Sequence, residues 1–341
     1  LKPAFLTLLL AISVVANEFR PTDAAIDRGL AWLATAQAKN GAFAHSDQAK
    51  PANAYTGLAV LAFLSSGHLP GRSAYSDTVT LAVNQLLKQS QAHQGYLGAD
   101  GGRMYGHAIA TLALSQAYGQ MPDTQTNLRI QQSLTQATAI MVAAQNPKGP
   151  RAGGWHYERK PKDADLSVSC WQMLALRAVR QCQISVPQDC LDQGAAFIWR
   201  CHSAKIPGFS YRPEDQRKIG AMRAAGIATL SLAQPPQGDR VAELAKSAEF
   251  LGSPPPKHGQ YYYYELFYRT HAAVLYGGDA LHSLPGIHSA LLGLQRKNGA
   301  FAQHSGFDGG VYSTAFAILA LSADYQLLPA FSPRRTGSSP S

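Results

Sequence analysis

A glycine followed within two residues by an aromatic recurs along the chain, at Gly41–Phe43, Gly95–Tyr96, Gly154–Trp155, Gly208–Phe209, Gly259–Tyr261 and Gly299–Phe301. Each copy follows a segment of helical pattern, and a polar stretch then leads into a helix rich in Ala and Leu. Those second helices superimpose on one another: Ala59–Phe63, Ala110–Leu114, Gln172–Leu176, Ala228–Leu232 and Ala317–Leu321, with Ala273–Tyr276 as a divergent sixth copy. A period of roughly 45–60 residues suits one helical hairpin per repeat. The second helices are apolar nearly all round, as expected of helices buried on every side, whereas the first, such as Ala24–Ala38, carry charge on one face. Six such hairpins bury their faces by stacking side by side until they close. The sequence therefore predicts an all-α (α/α)6 toroid, or barrel, of six helical hairpins.

Composition supports one large folded domain. Of 341 residues, 46% are hydrophobic and only 15% charged, enough to fill a sizeable core. Thirty Lys and Arg against 21 Asp and Glu give a net charge of +9, a mild excess without the dense basic run and interleaved aromatics of a nucleic-acid surface. The apolar run Ala4–Val15, ending at Val14-Val15-Ala16, reads as a signal peptide cut after Ala16, which implies a secreted or periplasmic protein. No other apolar stretch is long enough to span a bilayer. The expected organisation is a signal peptide over 1–16, one toroid over 17–328, and a disordered tail over 329–341. Among the four cysteines, Cys182 and Cys190 flank a Pro-containing loop and form the expected bridge. No His/Cys spacing suggests a metal site, and no cofactor is expected.

Arg28-Gly29, Trp32-Leu33, Gln37, Gly41 and Phe43 resemble the QW repeat of squalene and oxidosqualene cyclases. Gln91 with Gly95, and Gln295 with Gly299 and Phe301, repeat its second half. This resemblance to the prenyltransferase and squalene-cyclase repeat superfamily covers about 23–328 and implies the toroid fold. It also implies two candidate chemistries at the segment from Gly153 to Gln172. Asp163 and Asp165 match the first two acids of the cyclase DxDD motif, with Leu166 at the third. Asp165 would then be the proton donor, with Asp163 or His156 as its hydrogen-bond partner. The same two aspartates also suit helix N-capping. In the zinc-dependent protein prenyltransferases the same place holds Asp-x-Cys, and here Ser167 stands for the Cys and Ser313 for the His ligand. Hydroxyls are poor zinc ligands, so protein prenylation is not expected.

In the stacked repeats Thr56, His107, Ser169, Thr270 and Thr314 fall in one column, with Ala225 in the fourth repeat. That column is expected to line the cavity floor, although buried Ser and Thr also bond back to their own helix. Arg223 and Arg269 are expected at the cavity rim, pairing with Glu265 or receiving an anionic ligand. Tyr261–Tyr264 reads as an aromatic loop at the mouth. Candidate ligand contacts are thus Trp155, Tyr157, His107, Ser169, Tyr211, Arg223, Tyr263, Arg269 and Tyr312. Three functions fit: a toroid that binds an isoprenoid or another small apolar or amphipathic ligand, or a protein partner, in an aromatic central cavity; an isoprenoid cyclase; or a secreted glycan-active enzyme. No Cys-Gly-Glu-Gln stretch occurs, which excludes a complement-type thioester.

Overall fold

The computed structural model describes residues 20–44, 53–160, 163–205, 207–215, 220–256, 261–302 and 310–332. The expected signal peptide lies outside the described residues. Among the described residues twelve α-helices alternate between two layers. The inner layer is α2 (Asn53–Ser65), α4 (Arg103–Ala117), α6 (Leu166–Gln181), α8 (Gly220–Ala233), α10 (Tyr262–Tyr276) and α12 (Val311–Leu321). Each packs on the next, and α12 returns to α2, which closes the ring. The outer layer is α1 (Pro21–Ala36), α3 (Ser76–Ala92), α5 (Thr124–Ala143), α7 (Gln188–Arg200), α9 (Asp239–Ala248) and α11 (Leu284–Leu292). Among the described residues the strands are confined to a two-residue hairpin, His202–Ser203 with Gly208–Phe209. The expected toroid is the fold observed.

The Gln and Gly of the repeats make one joint, used again and again. Gln37 Nε2 donates to the Gly41 carbonyl at 3.1 Å and to the Thr78 carbonyl at 2.9 Å, in the first turn of α3. Gln145 bonds Gly153 and Cys190 in the same way, both at 2.8 Å, and so docks on α7. Gln295 bonds Gly299 at 3.0 Å and Ala25 at 2.7 Å, which ties the last repeat to the first outer helix. The glycines are obligatory here. Gly41 has φ +87° and Gly299 φ +94°, and an added Cβ would meet the Leu81 and Arg28 carbonyl oxygens at 2.3 and 2.2 Å. The polar column completes the joint, since the amide of each following aromatic donates to it: Phe43 to Thr56 at 3.0 Å, Trp155 to Ser169 at 2.8 Å, Phe301 to Thr314 at 3.1 Å.

One end of the ring axis is filled. Trp171 stacks on Phe267 at 5.6 Å, Phe316 lies 5.2 Å from Phe267, and Phe331 packs edge-on to Phe267 at 5.7 Å. Phe331 belongs to a 3-10 turn at Pro329–Phe331, so the fold continues past the expected start of the tail and through Ser332. Arg177 holds that turn, donating to Leu232, Ala330 and Ser332 carbonyls at 2.7–2.8 Å. These bonds let an Arg lie buried on an inner helix. The expected Cys182–Cys190 bridge is absent: all four cysteines are free, and Cys182 turns its Sγ to the Ser115 carbonyl at 3.3 Å.

Because Gln295 joins the two ends of the chain, Gln295→Ala is expected to cost about 1–3 kcal/mol in urea unfolding. Gly299→Ala is expected to cost more, since strain and a backbone clash act together. A loss below about 0.5 kcal/mol for both would contradict the joint.

Candidate functional site

At the other end of the axis the six inner helices begin around a cavity of about 520 Å³. Each helix contributes a residue from its first turn: Tyr55, Tyr105, Ser167, Ala221 with Met222, Tyr264 and Tyr312. Tyr157, Tyr211 and Tyr261 complete the wall from the connecting segments, making seven tyrosines. Two of these are clamped by their backbones. The Tyr157 carbonyl accepts from Met104 N at 2.9 Å and the Tyr211 carbonyl from Leu166 N at 2.8 Å, which satisfies amides that helix starts leave unpaired. Tyr105 stacks on Tyr157 at 6.3 Å, and Tyr55 meets Tyr312 edge-on at 6.4 Å. The filled axis below makes this a cup, closed at its floor by the Trp171 and Phe267 stack. Burial raises the Tyr55, Tyr105, Tyr157, Tyr211 and Tyr264 hydroxyls above the usual phenol range, so at neutral pH they act as O–H groups.

Asp165 lies directly behind this wall. It is the N-cap of α6, with Oδ1 accepting from Val168 N at 2.9 Å. The residue is fully buried, does not line the cup, and leaves Oδ2 without a hydrogen-bond partner. Burial pushes its carboxyl up to about 7, against smaller opposing effects of the Val168 amide and Tyr211. Asp163 is its electrostatic opposite. Burial is outweighed there by Arg151, which pairs with both Asp163 and Glu214, and by Arg212 at 3.2 Å, so the Asp163 carboxyl is held low. His156 stands 3.8 Å from Asp163, and burial lowers its pKa. Asp163 and His156 thus belong to an ion-pair cluster; among the described residues neither hydrogen-bonds Asp165.

The other expected contacts divide clearly. Tyr157, Tyr211 and Tyr312 line the cup. Trp155 does not: it is fully buried, and its indole donates to the Met141 carbonyl at 2.7 Å. Ser169 and His107 are likewise buried in the joints rather than at a cavity floor. His107 Nδ1 accepts from Leu97 N at 3.1 Å and Nε2 faces the Ala137 carbonyl at 3.3 Å, while burial lowers its pKa to about 4. A neutral imidazole with both nitrogens engaged is no base. The expected aromatic loop is the start of α10: Tyr261 and Tyr264 face the cup, but Tyr263 turns its hydroxyl to the Ala302 carbonyl at 2.7 Å. Arg269 pairs with Glu265 at 2.9 Å as expected, yet it and Arg223 sit over the Phe250 ring at 4.7 and 4.2 Å, away from the cup. Tyr55, Tyr105, Ser167, Ala221 and Met222 are the contacts that sequence reasoning missed. Their one signal is position, in the first turn of an apolar inner helix.

A larger groove of about 680 Å³ lies at the opposite end, between α2, α4, α6 and residues 327–329. Its described lining carries one tyrosine, Tyr118, against the seven of the cup, and the inner helices end there instead of beginning. The cup is the better candidate.

No protein-family model matches the chain, and no curated protein matches its sequence. Solved structures do match. An α-1,6-mannanase from Salegentibacter sp. HEL1_6, solved as an inactive variant with α-1,6-mannotriose, gives a TM-score of 0.67 at 9% identity, covering 90% of this chain and 99% of that one. A type II terpene cyclase from Scytonema gives 0.56 at 14%, with 90% and 99% covered. Cellobiose 2-epimerase from Bacillus thermoamylovorans B4167 gives 0.63 at 11%, with 88% and 98% covered. At these identities the likeness establishes the α/α toroid and does not single out the prenyltransferase and squalene-cyclase family within it.

The Asp165 carboxyl gives a signed prediction. In the unfolded chain it ionises near 4 and in the fold near 7. Between those values the folded state holds the extra proton, so stability falls as pH rises and stays reduced above 7. Asn keeps the cap without the charge. Asp165→Asn is therefore expected to stabilise the protein by about 1 kcal/mol or more at pH 8.5, and by much less at pH 5. Equal effects at both pH values in urea titrations would contradict the buried, proton-holding carboxyl.

Proposed function

We propose that this is an exported ligand-binding toroid whose tyrosine cup holds a small amphipathic molecule. One observation carries the reading: every inner helix turns its first turn into one cavity, and that cavity is walled by seven tyrosines. Ring faces give an apolar wall and hydroxyls give directed hydrogen bonds, the combination that small-molecule pockets of 300–1,000 Å³ commonly use. Burying about 200 Å² of apolar ligand surface would contribute roughly 5 kcal/mol before the cost of association. An isoprenoid alcohol or acid is the ligand class that best fits such walls.

Catalysis finds less support. A proton donor for an alkene has to reach the substrate, and Asp165 is separated from the cup by its lining. A second reading, glycan binding, rests on a specific observation: tyrosine faces also serve as sugar platforms, and two of the structural neighbours are named for glycans or sugars. The described lining of the cup includes no carboxylate, so it lacks the facing acid pair of most glycoside hydrolases.

Titration of the intrinsic fluorescence with geraniol and with α-1,6-mannotriose separates these readings. Saturable binding of geraniol, lost in the cup-filling variant Met222→Trp with its melting temperature retained, is the expected result. Saturable binding of mannotriose alone, lost in the same variant, would transfer the proposal to glycans. Binding of neither would overturn the cup as the site.

A further inference from the structure

The floor of the cup is chemically different from its walls. Ser167 Oγ and the Tyr264 hydroxyl are 2.9 Å apart and hydrogen-bonded. The Tyr105 hydroxyl lies among Tyr264, Trp171 and Ser167. Its ring is 6.5 Å from Tyr264 and 6.1 Å from Trp171, and Tyr268 packs 4.9 Å from Tyr264. Trp171 and Tyr268 are fully buried beneath this cluster; the Trp171 indole faces Tyr105 and the Tyr268 hydroxyl faces Tyr264, but neither reaches full hydrogen-bond geometry. A buried donor left without a well-aligned acceptor is costly.

The indole group can only donate. It is satisfied when a floor hydroxyl accepts from it, and a hydroxyl that accepts has to direct its own hydrogen elsewhere. Ser167 already engages one side of Tyr264, and apolar rings close off most of the remainder. The open direction is the cavity. All six inner helices also begin around the cup, and their N-terminal dipoles favour electron-rich atoms there.

We propose that Tyr105, Ser167 and Tyr264 form a hydrogen-bonding subsite for an acceptor oxygen, the hydroxyl or carbonyl of the ligand, so that the molecule enters polar end first. An oxygen seated there takes the Tyr105 or Tyr264 hydrogen, and that hydroxyl, its O–H turned to the ligand, presents its oxygen to accept from Trp171 or Tyr268. The apolar body then lies against the upper tyrosines, Tyr55, Tyr157, Tyr211 and Tyr312. This subsite rests on the reading of the cup as a ligand site and adds the orientation and head-group chemistry to it.

A matched pair of probes tests it: geraniol, and the hydrocarbon in which its CH2OH is CH3, 2,6-dimethylocta-2,6-diene. The wild-type protein is expected to bind the alcohol about tenfold more tightly, the worth of roughly one net hydrogen bond. Tyr264→Phe and Tyr105→Phe are each expected to reduce that preference to within about twofold. In 15N-labelled protein the Trp171 indole N–H signal, assigned with Trp171→Phe, should shift with the alcohol and not with the hydrocarbon. Equal affinity for the two probes, or a preference that survives in both Phe variants, would overturn the subsite while leaving the cup reading standing; water would then serve the floor. Binding of neither probe would overturn both.

Discussion

Everything in this molecule depends on a glutamine amide that bridges two backbone carbonyls. Gln37, Gln145 and Gln295 each donate to the glycine of their own turn and to a carbonyl near the start of the next outer helix. A half-buried amide that pairs with two carbonyls fixes both the distance and the angle between neighbouring hairpins. The left-handed glycine lets the backbone approach that helix, and the following aromatic amide anchors to the inner helix through Thr56, Ser169 or Thr314. Repetition of one joint with one geometry turns hairpins into a ring. Gln295 reaching Ala25 closes it.

The ring also determines where a site can be. Parallel inner helices place all their N-termini at one end, and a C-terminal turn held by Arg177 blocks the other. The stack of Trp171, Phe267, Phe316 and Phe331 then fills half the axis, leaving a cup rather than a channel. Charge is managed at its margin. Asp163 is neutralised by Arg151 and Arg212, while Asp165, buried beside the Val168 amide and Tyr211, lies outside the cup lining and holds its proton near neutrality instead. The cup therefore presents hydroxyls and ring faces, with no charged side chain among its described lining.

The fold was legible because its signals repeat. An all-round apolar pattern in Ile109–Ala117, set against the one-sided charge of α1, is enough to sort inner from outer helices. The site was less legible because the most motif-like residues serve the joints. Trp155, Ser169 and His107 stand out in the sequence, yet their polar atoms bond Met141, the Trp155 amide, Leu97 and Ala137. The cup residues that the sequence did not single out, Tyr55, Tyr105, Ala221 and Met222, belong to no motif, and only ring closure brings them together. Arg223 and Arg269 misled for a related reason, because Phe250 from a distant turn supplies a face for both cations that no local pattern reveals.

Mass spectrometry of small molecules released by denaturing the purified protein, beside an equal amount of the Met222→Trp variant, tests the central claim most directly. The account predicts an amphipathic molecule bearing a hydroxyl or carboxyl, near one equivalent from the wild-type protein and strongly depleted from the variant. Equal recovery of the same molecule from both proteins would contradict it, since the ligand would then be held somewhere other than the cup.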